Sequence, residues 1–92
     1  MGRHYERGLA LYELRRFREA AGEFTQELAE RPDCSFTFGT LALCLIQTAD
    51  FGDAEAAARR SIALEPDSPY GHYVYALVMM KRRRLADAES HL

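Results

Sequence analysis

Apolar positions recur along this chain at intervals of three and four residues, in blocks separated by short polar breaks. That spacing predicts amphipathic helices. Six blocks are expected: 3–14, 18–30, 36–48, 52–64, 70–82 and one from 86 onward. They fall into pairs. The breaks within pairs are Arg15-Arg16-Phe17, Ala49-Asp50-Phe51 and Arg83-Arg84-Leu85; those between pairs are Arg31-Pro32-Asp33 and Glu65-Pro66-Asp67. Pro followed by Asp stops a helix and starts a turn. Asp53 and Asp87 lie near second-helix starts, where a carboxylate suits the free N–H groups and the positive dipole end.

The pairs repeat with a constant period. Pro32 and Pro66 are 34 residues apart, and so are successive members of Ala20/Ala54/Ala88 and Phe17/Phe51/Leu85. The same interval joins Gly8/Ala42/Ala76, Leu11/Leu45/Met79 and Leu28/Ile62, with no insertion or deletion. The small series have a packing reason, since two antiparallel helices approach closely only where side chains are small. Large residues such as Phe17, Phe51 and Phe24 then fill the space around those contacts.

On these residues the chain resembles the tetratricopeptide repeat family, whose 34-residue unit is a pair of antiparallel helices. The resemblance is carried by Gly8, Leu11, Ala20, Phe24, Leu28 and Pro32 in the first unit and by Leu41, Ala42, Leu45, Ala54, Ile62 and Pro66 in the second. Ala76, Met79 and Ala88 carry it in the third. It implies an all-α fold, a right-handed α-solenoid of antiparallel helix pairs. Repeat 1 would span 1–34, repeat 2 35–68, and a truncated repeat 3 69–92, all in one domain. Departures are His4, Phe38 and His72 at the usual position of a large aromatic, and Ala58 where the second helix is usually bulky; both weaken packing locally. Because stacked repeats bury each face on the next and about three are needed for stability, a fragment of a longer protein or a self-associating chain is expected.

The resemblance also implies a ligand face. In that family the first helix of each pair lines the concave groove. The matching positions are Tyr5, Glu6, Leu9, Tyr12 and Glu13; Phe36, Gly39, Thr40, Leu43 and Gln47; and Tyr70, Tyr73, Val74, Leu77 and Lys81. Most are apolar or aromatic, and tyrosine supplies contact area with a polar tip. One subclass clamps the acidic C-terminal tails of chaperones with Lys, Asn and Arg. The matching positions here are Tyr5, Leu9, Thr40, Tyr70 and Val74, so that kind of binding is not expected.

Charge adds one feature. Lys81, Arg82, Arg83 and Arg84 form the densest run, and the equivalent turn of the first unit carries Arg15, Arg16 and Arg18. They read as solvated turn residues or as a basic docking edge for an acidic partner or a phosphate. A net charge of -2 gives no general pull toward nucleic acid or anionic lipid, and neither partner is expected. Hydrophobic residues at 48% and charged residues at 28% fit a folded domain rather than a disordered one.

Candidate chemistry is sparse. His4, His72 and His91 are scattered, the first two at equivalent repeat positions where they replace a packed aromatic. Glu23 and Glu27 read as solvated helix-face acids. Cys44 reads as a buried hydrophobe and Cys34 as a turn residue, and two cysteines do not make a disulfide framework. No metal spacing, phosphate loop or catalytic constellation is present, so no enzyme activity and no cofactor are expected. The N-terminus lacks an apolar signal core, Glu6 replaces the Ser/Thr of a myristoylation signal, and no apolar run nears a membrane span. A cytoplasmic setting is therefore the default.

The functional expectation is a protein–protein interaction scaffold holding a peptide or helix in its Tyr-rich groove. The alternative is a structural or oligomerisation segment whose groove is filled by its own chain or by a second copy.

Overall fold

The computed structural model describes the backbone of residues 2–90 and the side chains of residues 2–84. Five helices follow one another: α1 (Arg3–Glu13), α2 (Phe17–Glu30), α3 (Ser35–Gln47), α4 (Phe51–Leu64) and α5 (Pro69–Ser90). Each packs on the next, and α5 also packs on α3. The first four bounds agree with the apolar periodicity to within a residue or so. The architecture is an all-α solenoid of stacked antiparallel pairs, α1 with α2 and α3 with α4, with α5 as a third first helix.

The tight turns within pairs share one geometry. At the end of α1, Arg15 N–H donates to the Tyr12 carbonyl at 3.0 Å and Arg16 N–H to the Leu11 carbonyl at 2.9 Å. At the end of α3, Ala49 N–H donates to Ile46 at 3.1 Å and Asp50 N–H to Leu45 at 2.8 Å. This paired pattern closes a helix through one left-handed residue, a place glycine normally fills. Here Arg15 (φ 62°) and Ala49 (φ 63°) fill it. A Cβ in that region costs about 1–2 kcal/mol, and the packing of α2 on α1 and of α4 on α3 offsets it.

The third such break does not form. Instead of turning at Arg83-Arg84-Leu85, α5 runs on to Ser90, so the separate helix expected from 86 onward is absent. Residues 81–86 contain no glycine, proline or asparagine, and Lys and Arg are good helix formers. The basic run Arg82–Arg84 is consequently helical rather than a turn.

Two apolar clusters form the core. One joins Tyr5, Ala20, Phe24 and Cys44; the other joins Ala42, Ile46, Ala54, Ala57, Ala58, Val74 and Val78. The two complete pairs divide their volume differently. In the first, Phe24 is fully buried and lies on Gly8, where an added Cβ would come within 2.6 Å of its ring. In the second, the equivalent residues are Ala58 and Ala42, both fully buried. The expected small-residue contact therefore holds at Gly8 and Ala42. It does not hold at Ala76, which is exposed because no helix among the described residues covers that face of α5. Met80 is likewise 45% exposed where its equivalent Ile46 is 7% exposed.

Candidate functional site

The first helices α1, α3 and α5 place their matching positions on one face. Tyr5 leans on Phe24 (ring centroids 5.5 Å) and on Phe36 (5.9 Å), and Phe36 stacks on Tyr70 at 4.8 Å. Three helices are thus joined by one line of rings, Tyr5–Phe36–Tyr70. Offset and tilted aromatic pairs add about 0.5–1.5 kcal/mol each beyond their buried area.

The line is fixed by a hydroxyl network. Thr40 Oγ1 donates to the Phe36 carbonyl at 3.0 Å, leaving its lone pairs to accept from the Tyr70 hydroxyl at 3.1 Å. Tyr70 can lie there because residue 39 is glycine: a Cβ would meet Tyr70 Cε2 at 2.6 Å. Gly39 is therefore the floor beneath a ring, not a contact position. Tyr12 packs edge-on against Phe17 at 5.2 Å. Burial raises the hydroxyl pKa of Tyr5, Tyr12 and Tyr70, so all three are neutral donors at physiological pH.

The expected groove positions divide into buried and surface residues. Tyr5 and Thr40 are buried in the floor, and Val74 lies inside the core with no surface to offer, which removes it from the expected contact set. Tyr12, Leu43, Tyr70, Leu77 and Lys81 are half-buried. Leu9 (38% exposed), Phe36 (43%) and Tyr73 (61%) present the most open apolar surface. Glu6, Glu13 and Gln47 are exposed. Glu13, Gln47 and Lys81 occupy one repeat position, so the rim changes from anionic to neutral to cationic across the face.

The basic residues are all partly or fully exposed but not equally free. Arg16 pairs with Glu19 at 2.9 Å, and Arg82 reaches Glu55 at 2.8 Å, which also holds Arg59 at 3.1 Å. Arg15, Arg18, Arg83 and Arg84 have no carboxylate partner among the described residues. Thr48, Ala49 and Asp50 stand between the two groups.

Three polar residues depart from the sequence reading. Glu27 is not solvated but fully buried, accepting from the Gly2 N–H and from Arg31 Nη1, each at 3.0 Å. The Gly2 N–H, and then Arg31, outweigh its desolvation and hold its carboxyl below the ordinary range. Glu23 meets His4 Nδ1 at 2.7 Å, so His4 is a polar partner rather than a packed ring. His72 is exposed, with Nε2 2.6 Å from the Pro66 carbonyl. The equivalent of Glu27 is Ser61, also buried, which exchanges bonds with Ser35: its Oγ donates to the Ser35 carbonyl at 2.9 Å, and Ser35 Oγ donates to the Ser61 carbonyl at 2.9 Å. One repeat position thus ties the end of each second helix to the start of its first helix. Polar residues at that shared, inward-facing register were the available signal.

Burial pushes the Cys44 thiol up to about 12, and Cys34 accepts a hydrogen bond from Thr37. Among the described residues, no group of three or more His, Cys, Asp or Glu is arranged to hold a metal ion. No helix of the described residues is long and apolar enough to cross a membrane.

The tetratricopeptide repeat pattern matches residues 5–35 and 40–92, nearly the whole chain. The chain belongs to the tetratricopeptide repeat family. It is also similar to the E3 ubiquitin-protein ligase TTC3 of Mus musculus, at 32% identity over 76 residues. That match covers 80% of this chain but 4% of the mouse protein.

Proposed function

We propose that this tetratricopeptide repeat domain holds a short segment of a partner protein on its first-helix face. The observation that carries the reading is the ring line Tyr5–Phe36–Tyr70, locked by Thr40 and flanked by the open side chains of Leu9 and Tyr73. Rigid aromatic surface with satisfied hydroxyls loses little side-chain entropy on contact, which favours recognition. The partner supplies an extended or helical apolar segment. Glu6, Glu13, Gln47 and Lys81 set its direction through the change of charge across the rim. No cation stands at the positions that would hold a chaperone's C-terminal carboxylate, so a partner is bound through its side chains and not through its chain end.

The test is Tyr73→Ala. Tyr73 is the most exposed of these rings, so its loss leaves the circular dichroism spectrum and unfolding midpoint near wild type. Capture of partner from extract, measured by pull-down with quantitative mass spectrometry, falls at least severalfold. Retained capture with an intact fold overturns the groove reading.

A second reading has its own observation. The open face of α5 at Ala76 and Met80 is covered in the first two repeats by a second helix. A domain that orders or oligomerises a longer chain would cover it with further repeats or a second copy. Sedimentation at micromolar concentration separates the cases: a dimer or larger species favours the structural role, and a stable monomer argues against self-association.

A further inference from the structure

The first depression at the α1–α2 turn is lined by Arg15, Arg16, Phe17, Arg18, Glu19, Gln47, Thr48 and Ala49. A second is lined by Tyr12, Glu13, Arg15, Phe17 and Gln47. The two share Arg15, Phe17 and Gln47, so they form one cleft. It leads from the Tyr12 end of the aromatic face, through the gap between the α1–α2 and α3–α4 turns, to the arginine edge.

Two of the arginines around this cleft, Arg15 and Arg18, make no ion pair with the described residues. Arg15 takes the left-handed position, where its side chain gains nothing from burial and is exposed. Arg16, Arg18 and Glu19 match Asp50, Gly52 and Asp53 of the second repeat, which therefore carries no cation at its own turn. Arg16 is neutralised by Glu19. Arg15 and Arg18 meet no carboxylate among the described residues, in a chain whose net charge is -2. Glu13 is the one other acid lining the cleft, at its inner end.

We infer that this cleft is an exit site for an acidic peptide: a partner segment whose apolar part lies on the first-helix face and whose Glu or Asp side chains leave through the cleft onto Arg15 and Arg18. The inference deepens the proposed groove function and rests on it. Guanidinium forks bind carboxylates through paired N–H donors, and an edge with unpaired arginines in an acidic chain complements an acidic partner. Phe17 and Tyr12 form the apolar wall along which the peptide's backbone passes.

The probe is a fluorescein-labelled, C-terminally amidated peptide of alternating Glu, Leu and Tyr, compared with isosteres carrying Gln or Lys in place of Glu. Fluorescence anisotropy reads affinity, and amide chemical shifts read location. The Glu peptide binds at least about threefold more tightly than the Gln peptide and weakens severalfold when salt rises from about 50 to 200 mM, as screened surface charges require. It shifts the amides of residues 12–18 and 47–49. The double variant Arg15→Gly/Arg18→Gln keeps the fold, since glycine suits the left-handed position, and it loses the preference for Glu over Gln. Equal binding of the Glu and Gln peptides, no binding of the Glu peptide, or an unaltered preference in the double variant overturns the inference. So does tighter binding of a single-stranded oligonucleotide at the same amides, which would make the edge a nucleic-acid site. The two proposals fail separately. If Tyr73→Ala removes binding while the arginine variant does not, the groove reading stands and the acidic exit falls. If the arginine variant removes binding while Tyr73→Ala does not, the edge binds anions and the groove reading falls.

Discussion

The ring of Tyr70 lies over the backbone of Gly39, so close that a Cβ at residue 39 would approach its Cε2 to 2.6 Å. The two residues belong to successive repeats, and the contact lets the Tyr70 hydroxyl reach Thr40 at 3.1 Å. Gly39→Ala displaces the ring or spreads α3 from α5. Overpacking of this kind costs about 1–3 kcal/mol. Urea unfolding should show the loss, and a partner that needs the Tyr5–Phe36–Tyr70 line should bind more weakly than to wild type. Unchanged stability would mean that Tyr70 has room the structure does not give it.

Glu27 gives the first repeat a response to acid. Its carboxyl pKa is held down in the folded state, mainly by the Gly2 N–H. A depressed folded pKa contributes stability above the unfolded value, and that contribution is lost as pH falls through the folded pKa. Glu27→Gln should therefore be less stable than wild type near about pH 7, with the difference shrinking toward about pH 3. Denaturant midpoints of both proteins across that range check the sign. A constant difference would show that the charge is not what matters.

Arg15 and Ala49 hold left-handed backbone without being glycine. Ala49→Gly relieves the Cβ conflict, partly offset by the greater freedom of glycine in the unfolded chain. A gain of about 0.5–1 kcal/mol is expected, or roughly 4–8 °C in Tm per kcal/mol for a domain of this size. Calorimetry of the single variant tests it. A fall in Tm would place the residue outside the left-handed region in solution.

Phe24 is the largest side chain fully buried in the first pair. Phe24→Ala opens a cavity between Gly8 and Tyr5 and should cost about 3–5 kcal/mol, close to the whole stability of a small domain. Loss of the cooperative thermal transition is the expected result. A transition of near wild-type Tm would show that α2 does not depend on this ring.

The fold was legible because its determinants are periodic. Apolar spacing and the Pro32/Pro66 interval located four helices and both inter-repeat turns, since each depends on residues close in sequence. The end of α5 departs from that spacing: the register predicts a turn at Arg83, but residues 81–86 hold no glycine, proline or asparagine to break the helix, and α5 continues to Ser90. The face was partly legible. Tyr5, Phe36 and Tyr70 lie together as repeat spacing implies, yet whether a position is floor or surface depends on neighbours two helices away. That is why Val74 and Gly39 proved to be interior. Glu27 was missed because a Glu with an Arg four residues on usually marks a solvated surface pair, and its second donor is the backbone of Gly2, which has no side chain to advertise the pairing.

The unequal division of volume between the two complete pairs, Gly8 with Phe24 and Ala42 with Ala58, makes the repeats non-interchangeable. A chimera joining α1 to α4 would bring Gly8 against Ala58 and leave a hole; the reciprocal join would drive Phe24 into Ala42. Exchange of segments within this domain should therefore be tolerated only at whole-repeat boundaries, with each helix pair moving as a unit.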